Sequence, residues 1–191
     1  MILDVGCGHL SSHLSRGNVN IDISKPYRVP ENFVLADAHH LPFIDNIFEK
    51  VYFYDVIEHV ENPSKCLREI YRVLKSRGKV EISTPNPLHW RNFFRVARGK
   101  KLELGGREHI ATWTHIEMEI LLEKASFRKV GIYYTILPAT ERWDSRKHIV
   151  LDKLMYKILP SPITGRNMII TAQKKDENLC ERLSHPQIIP T

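Results

Sequence analysis

The run Ile2-Leu3-Asp4-Val5-Gly6-Cys7-Gly8 restricts the folds open to this chain more than any other segment. Leu3-Asp4-Val5 reads as a short buried strand. Gly6 and Gly8 then permit a tight turn whose backbone can approach a ligand closely. A helix from Leu10 to Arg16, closed by Gly17-Asn18, would aim its N-terminal N–H groups at the anionic end of that ligand. A glycine turn after a strand is also common as a plain turn, and three further strand ends separate the two readings. Val19-Asn20-Ile21 ends in Asp22, Phe33-Val34-Leu35-Ala36 in Asp37, and Val51-Tyr52-Phe53-Tyr54 in Asp55. Carboxylates at four strand ends in succession describe a nucleoside pocket along the carboxyl edge of a parallel sheet. A carboxylate only accepts hydrogen bonds, which suits hydroxyl and amino donors.

Strand and helix signals alternate through the first half, as in a parallel sheet with crossover helices. Pro26 and Pro30 forbid a normal crossover helix between the second and third strands. Leu41-Pro42-Phe43 reads as a loop with apolar anchors. Asn62 caps a helix on which Leu67, Ile70, Tyr71, Val73 and Leu74 recur at helical spacing, with Gly78 as its C′ residue. A fifth strand, Lys79 to Ser83, stops at Thr84-Pro85-Asn86-Pro87. Asn86-Pro87 is read as a turn, since Leu88 and His89 follow where an amino-methylating DNA enzyme would carry Pro and Tyr. Leu88 to Val96 forms an amphipathic helix with Trp90, Phe93 and Phe94 on one side, expected in core or lid packing. A Gly- and Lys-rich loop covers Arg98 to Arg107. Thr114 and Glu117 make a capping box for a helix from His115 to Ala125. A strand from Arg128 to Leu137, a helix from Arg142 to Leu159 and a last strand from Asn167 to Gln173 complete the order, followed by a polar tail over 175–191.

The bulk properties exclude several classes. With 191 residues, 42% hydrophobic and 26% charged, the chain can build one globular α/β domain with a core. No apolar run approaches a membrane span, and Met1-Ile2-Leu3 lacks the basic region of a signal peptide. Cys7, Cys66 and Cys180 are scattered, which suggests a reducing, cytoplasmic setting and no metal knuckle. The net charge of +6 is read first as solubility and second as affinity for an acidic partner. Ser11 occupies the third glycine position of a dinucleotide fingerprint, and no G-K-S/T loop is present.

Together with Asn20-Ile21-Asp22-Ile23-Ser24, Ala36-Asp37-Ala38, Asp55-Val56-Ile57-Glu58-His59-Val60, Glu69-Ile70-Tyr71-Arg72-Val73-Leu74-Lys75 and Ser83-Thr84-Pro85-Asn86, the opening run resembles the class I S-adenosylmethionine (SAM) dependent methyltransferases. The nearest type is the small-molecule one, which includes quinone- and sugar-pathway enzymes. The likeness covers the first half and, more loosely, His109 to Phe127. It implies a Rossmann-like αβα sandwich over 1–174, with a mostly parallel, seven-stranded sheet and an antiparallel last strand. Inserts at about 88–114 and 138–166 would cover the substrate side. It also implies SAM as cofactor, S-adenosylhomocysteine as product, and a small-molecule O, N or C nucleophile as acceptor. Asp4, Gly6 and Gly8 would surround the methionine moiety, with Cys7 in the same turn. Asp22 would accept from both ribose hydroxyls, and Ile23 would lie on the adenine face. Asp37 would accept from the adenine amino group beside the N–H of Ala38, and Asp55-Val56 would line the methionine side.

The chain departs from the family's pattern at Leu10, where a third glycine is usual, and in the short segment between Asp22 and Phe33. It also opens inside the first strand, where relatives commonly carry a further helix. A second copy of the chain or the C-terminal region is expected to cover that edge. These departures support a rival reading as a SAM-binding or scaffold protein without turnover. A nucleic-acid or protein methyltransferase is a further alternative.

The ten histidines show no ligand spacing with cysteines or carboxylates, so no metal site is expected. His39-His40 reads as surface or loop. His59 follows the fourth strand at the pocket rim and either positions that loop or serves as a general base. The resemblance would place His109 near the substrate mouth. Arg91, Arg95, Arg98, Lys100, Lys101 and Arg107 cluster beside the aromatic residues of the Leu88 helix. That cluster is read as a solvated face, with an anionic substrate, membrane surface or nucleic acid as alternatives not favoured.

Overall fold

A computed structural model describes residues 1–8, 17–26, 29–100, 109–135 and 146–176. The expected helix from Leu10 to Arg16 lies outside the described residues. So do most of the glycine-rich loop, the end of the Arg128 strand, the start of the Arg142 helix and the tail beyond 176.

Among the described residues seven strands form one sheet: β1 (Ile2–Val5), β2 (Val19–Asp22), β3 (Phe33–Leu35), β4 (Phe48–Tyr54), β5 (Leu74–Pro85), β6 (Phe127–Thr135) and β7 (Asn167–Lys174). Their spatial order is β3-β2-β1-β4-β5-β7-β6. The pairs β1–β2, β2–β3, β1–β4 and β4–β5 are parallel, whereas β7 runs antiparallel to both β5 and β6. This is the expected Rossmann-like sheet with its antiparallel last strand. The order reverses at β1, which pairs with β2 on one side and β4 on the other. Such a switch point opens a crevice beyond the carboxyl ends of the strands.

The helices are α1 (Pro63–Val73), α2 (Trp90–Ala97), α3 (His115–Lys124), α4 (Arg146–Ile158) and the short α5 (Ser161–Thr164). The Asn62 side chain accepts from the Lys65 N–H at 3.0 Å, as expected of an N-cap, with Pro63 at N1. Cys66, Leu67, Ile70 and Val73 of α1 are fully buried against the sheet. Thr114 and Glu117 form the full capping box of α3. A loop after β3 is anchored by Arg72, which donates to the carbonyls of Leu41 at 2.9 Å and Phe43 at 2.7 Å and pairs with Glu69 and Asp45.

Two expectations are corrected. Gly78 is not the C′ residue of α1, because the helix stops at Val73 and Leu74 is already extended, with φ −72° and ψ 137°. Leu74 pairs with Phe48, and β5 bulges before its main register with β4 resumes at Lys79 and Lys50. The bend between those pairings uses Arg77 at φ 62°. At Gly78 an added Cβ would lie 2.8 Å from the Lys75 carbonyl oxygen, so the glycine serves the bend rather than a cap. Phe93 and Phe94, expected in core or lid packing, are not core residues either: they are 71% and 46% exposed, which leaves the lid reading. Only Trp90 of that trio turns inward, donating its indole N–H to Asp152 at 3.1 Å.

Candidate functional site

A cavity of about 660 Å³ opens at the switch point, within the range of small-molecule sites. Gly6 and Gly8 after β1, Asp22 and Ile23 at the end of β2, Asp37 and Ala38 after β3, and Asp55, Val56 and His59 after β4 all line it. These are the residues expected from strand ends, brought together from four separate loops. Asp4 and Cys7 do not line it. Asp4 is 2% exposed, and a Cβ at Gly17 would meet its backbone N and its Cβ. Successive strand residues face opposite sides of a sheet, so Asp4 and the cavity-lining Val5 diverge. Cys7 ties the turn to β2 through its N–H, 3.0 Å from the Ile21 carbonyl oxygen. Burial first, then the charges of Asp22 and Asp4, push its thiol up to about 12, so it stays protonated at neutral pH.

Gly6 has φ 76° and Gly8 φ 77°, a left-handed backbone that glycine enters at no steric cost. A Cβ on Gly6 would come within 2.2 Å of Val56 Cγ2. The β1 turn and the β4 loop therefore touch through a space only glycine leaves open. Asp22 organises the other wall: Oδ2 accepts from Gly8 N–H at 2.8 Å, and Oδ1 from Ser24 N–H at 3.0 Å and Ser24 Oγ at 3.2 Å. Asp55 is held in a left-handed conformation, φ 53°. Its N–H donates to the Ser83 carbonyl oxygen at 3.1 Å, and its Oδ1 accepts from Ser83 Oγ at 2.6 Å.

His39, read as a surface or loop residue, lies in the loop after β3 and also belongs to this wall. Asp37 Oδ1 accepts from the His39 backbone N–H at 2.9 Å and lies 2.7 Å from His39 Nδ1. His39 Nε2 accepts from the Asn62 N–H at 3.2 Å, which assigns the ring proton to Nδ1. The His39 N–H, first, and its ring hold the Asp37 carboxyl below its ordinary range, so it remains an ionised acceptor. The available signal was the Asp-x-His spacing, which lets a carboxylate fold back on the amide two residues later.

Beside the cavity lies a second group. Ile57 and Glu58 are buried, whereas His59 faces outward and lines the cavity. The Glu58 carbonyl oxygen accepts from the N–H groups of Ile110 and Ala111 at 2.9 and 3.2 Å. This strap brings the His109 ring to 4.6 Å from the His59 ring, edge to face. The Glu58 side chain is 1% exposed, and neither carboxylate oxygen has a hydrogen-bond partner of normal geometry among the described residues. Burial, then the charge of Asp55, raises its pKa to about 8, with the Thr84 hydroxyl opposing.

Sequence reasoning also missed a buried network on the other side of the sheet edge. Asp152 of α4 accepts from Trp90 Nε1, from Arg91 Nε at 3.1 Å and from Arg166 Nε. It joins α2 to α4 and to the approach to β7. Asn86 clamps the same region, donating to the carbonyls of Pro162 at 2.8 Å and Gly165 at 2.7 Å. The turn read at Asn86-Pro87 is therefore a structural joint.

The cavity fits SAM in kind. Its floor is the glycine turn, and Asp22 and Asp37 are acceptors placed for the hydroxyl and amino donors of a nucleoside. Residues 3–82 match the Methyltransferase domain family. An uncharacterised protein of Methanocaldococcus jannaschii is 38% identical over 93 residues, covering 45% of this chain and 41% of that one. A ubiquinone/menaquinone biosynthesis C-methyltransferase of Haemophilus ducreyi is 42% identical over 57 residues, covering 28% of this chain and 22% of its own. The chain thus spans well under half the length of these relatives. A SAM-dependent methyltransferase structure from Archaeoglobus fulgidus superposes with a TM-score of 0.62 at 21% identity, covering 91% of this chain and 85% of that one. The family match thus runs from β1 into β5, and the whole sheet has the fold of SAM-dependent methyltransferase structures.

Proposed function

We propose that the chain transfers a methyl group from SAM to an O, N or C nucleophile of a small-molecule acceptor. The observation that carries this reading is the single cavity wall assembled from the ends of β1, β2, β3 and β4, with Gly6, Asp22, Asp37 and Asp55 in succession. Bound SAM supplies an electrophilic methyl group on a sulfonium, so alignment of the acceptor can provide most of the rate enhancement. Asp22 would hold the ribose and Asp37, fixed by His39, the adenine amino group. The Gly6 and Gly8 backbone would face the methionine part. His59, on the cavity rim, is placed to orient an acceptor or take its proton. The relatives named as quinone-pathway C-methyltransferases support a small-molecule acceptor. No helix among the described residues is long and apolar enough to cross a membrane.

The test is calorimetric titration with SAM and S-adenosylhomocysteine, followed by incubation of the chain with SAM and metabolite extracts. Binding of both ligands and a SAM-dependent gain of one methyl mass in an extract component is the expected result. Binding without any such gain would favour a scaffold without turnover, and no binding of either ligand would overturn the cofactor assignment.

A further inference from the structure

We propose that Glu58, His59 and His109 form a site for a divalent first-row transition metal at the rim of the cofactor cavity. One ligand atom from each of the three residues lies within 4.8 Å of the other two. A cation bound by imidazole nitrogen and carboxylate oxygen at about 2.0–2.2 Å holds its ligands about 3–4 Å apart. Closing the site therefore asks for side-chain movement of about an ångström.

Three observations carry the site beyond proximity. Glu58 is 1% exposed, and neither carboxylate oxygen has a hydrogen-bond partner of normal geometry among the described residues. A buried carboxylate in that position is costly until it is neutralised by a proton or a cation. The backbone is built to bring the third ligand in: Ile110 and Ala111 both donate to the Glu58 carbonyl oxygen, which fixes His109 next to a residue 51 positions earlier. His59 lines the cofactor cavity, so the open side of the ion faces the space where an acceptor would sit. Two imidazoles and one carboxylate suit Zn²⁺, Fe²⁺, Co²⁺ or Mn²⁺ and leave coordination positions open, as at catalytic rather than structural centres. Those positions would take an oxygen of the acceptor. That last step rests on the methyltransferase reading; metal binding itself does not.

The test uses the full chain after chelator treatment, titrated with Co²⁺ and followed by visible absorption, and with Mn²⁺ followed by the resonance signal of the free ion. We expect saturable binding of one ion per chain. Glu58→Gln and His109→Ala should each weaken it by about tenfold or more, while His40→Ala, outside both the cavity lining and the ligand group, leaves it unchanged. S-adenosylhomocysteine affinity is measured in parallel with chelator present, so a failed cofactor assignment and a failed metal site give different results. The proposal is overturned by no saturable binding up to about 1 mM, an affinity too weak to hold a resident ion. It is equally overturned by Co²⁺ binding that both variants leave intact. If circular dichroism shows that Glu58→Gln does not fold, the half-buried His109→Ala decides between the same two outcomes.

Discussion

Replacing Asp22 by alanine tests the cofactor assignment most directly. A carboxylate offers about four acceptor positions. Three are already used, by Gly8 N–H on Oδ2 and by Ser24 N–H and Oγ on Oδ1. The Ser24 hydroxyl is the one donor that can rotate away, and its release would leave two positions for two ribose hydroxyls. Hydrogen bonds to an ionised acceptor contribute about 1.5–3 kcal/mol. Asp22→Ala should therefore raise the dissociation constant of S-adenosylhomocysteine by about tenfold to a hundredfold. The substitution also frees the Gly8 and Ser24 N–H groups, which lie in a partly exposed turn where water can replace the carboxylate. The expected stability loss is about 1 kcal/mol, or a fall in Tm of about 2–4 °C. Ser24→Ala should change binding by less than about threefold, well below the loss of a charged hydrogen bond. Calorimetry with thermal unfolding on the same samples measures both quantities. An Asp22→Ala chain that is folded and binds S-adenosylhomocysteine as the wild type does would refute the reasoning.

Two further outcomes follow from the same geometry. Gly6→Ala must place a Cβ 2.2 Å from Val56 Cγ2 at φ 76°, whereas Gly99→Ala has a similar φ of 69° and meets nothing within 4 Å among the described residues. Both lose about 1–2 kcal/mol from the backbone; only Gly6→Ala adds a steric cost, so its urea midpoint should be clearly lower, and equal midpoints would contradict the close β1–β4 approach. Burial, then the charges of Arg166 and Arg91, depress the His89 ring from 6.5 to about 4. Asp152, 3.7 Å away, would favour the charged ring, but its carboxylate already accepts from both guanidinium groups and the Trp90 indole. The unfolded chain takes up this proton first, so His89 stabilises fully above about pH 6.5 and the contribution is lost as pH falls toward 4. The loss is about 2 kcal/mol after allowance for solvent screening. Denaturant unfolding across that window should show it, and His89→Gln should flatten it.

How legible each part was depends on the distance over which it is specified. Asp22, Asp37 and Asp55 stand at or just beyond strand ends whose limits follow from local alternation and β-branched content. Their convergence then follows from parallel topology alone. The capping box at Thr114 and the Asn62 cap are likewise local. Gly78 misled because its helical C′ signature competes with a long-range pairing, Leu74 with Phe48, which makes the chain extended four residues earlier. Phe93 and Phe94 misled because an amphipathic pattern does not say what covers the apolar face. Asp152 was invisible for a related reason: one carboxylate in a basic helix acquires its role only when Arg91 and Arg166 arrive from elements about 61 and 14 residues away.

The same distinction separates the two sides of the cavity. The cofactor wall is made of backbone turns within four residues of a strand end, so its geometry is inherited from the sheet. The rim beside it is made of side chains whose meeting depends on a loop closing back from His109 to Glu58. Nothing in the spacing Glu58-His59 followed by a histidine at 109 resembles a ligand motif, because such motifs describe ligands held by one local element. Here the second element is supplied by two backbone hydrogen bonds to a single carbonyl. A change at His109 or in its two backbone hydrogen bonds to Glu58 can therefore alter this rim without disturbing Asp22, Asp37 or the glycine turn. On the methyltransferase reading proposed above, a fold that keeps its cofactor contacts on strand ends and its acceptor contacts on such a strap can change acceptor while retaining SAM.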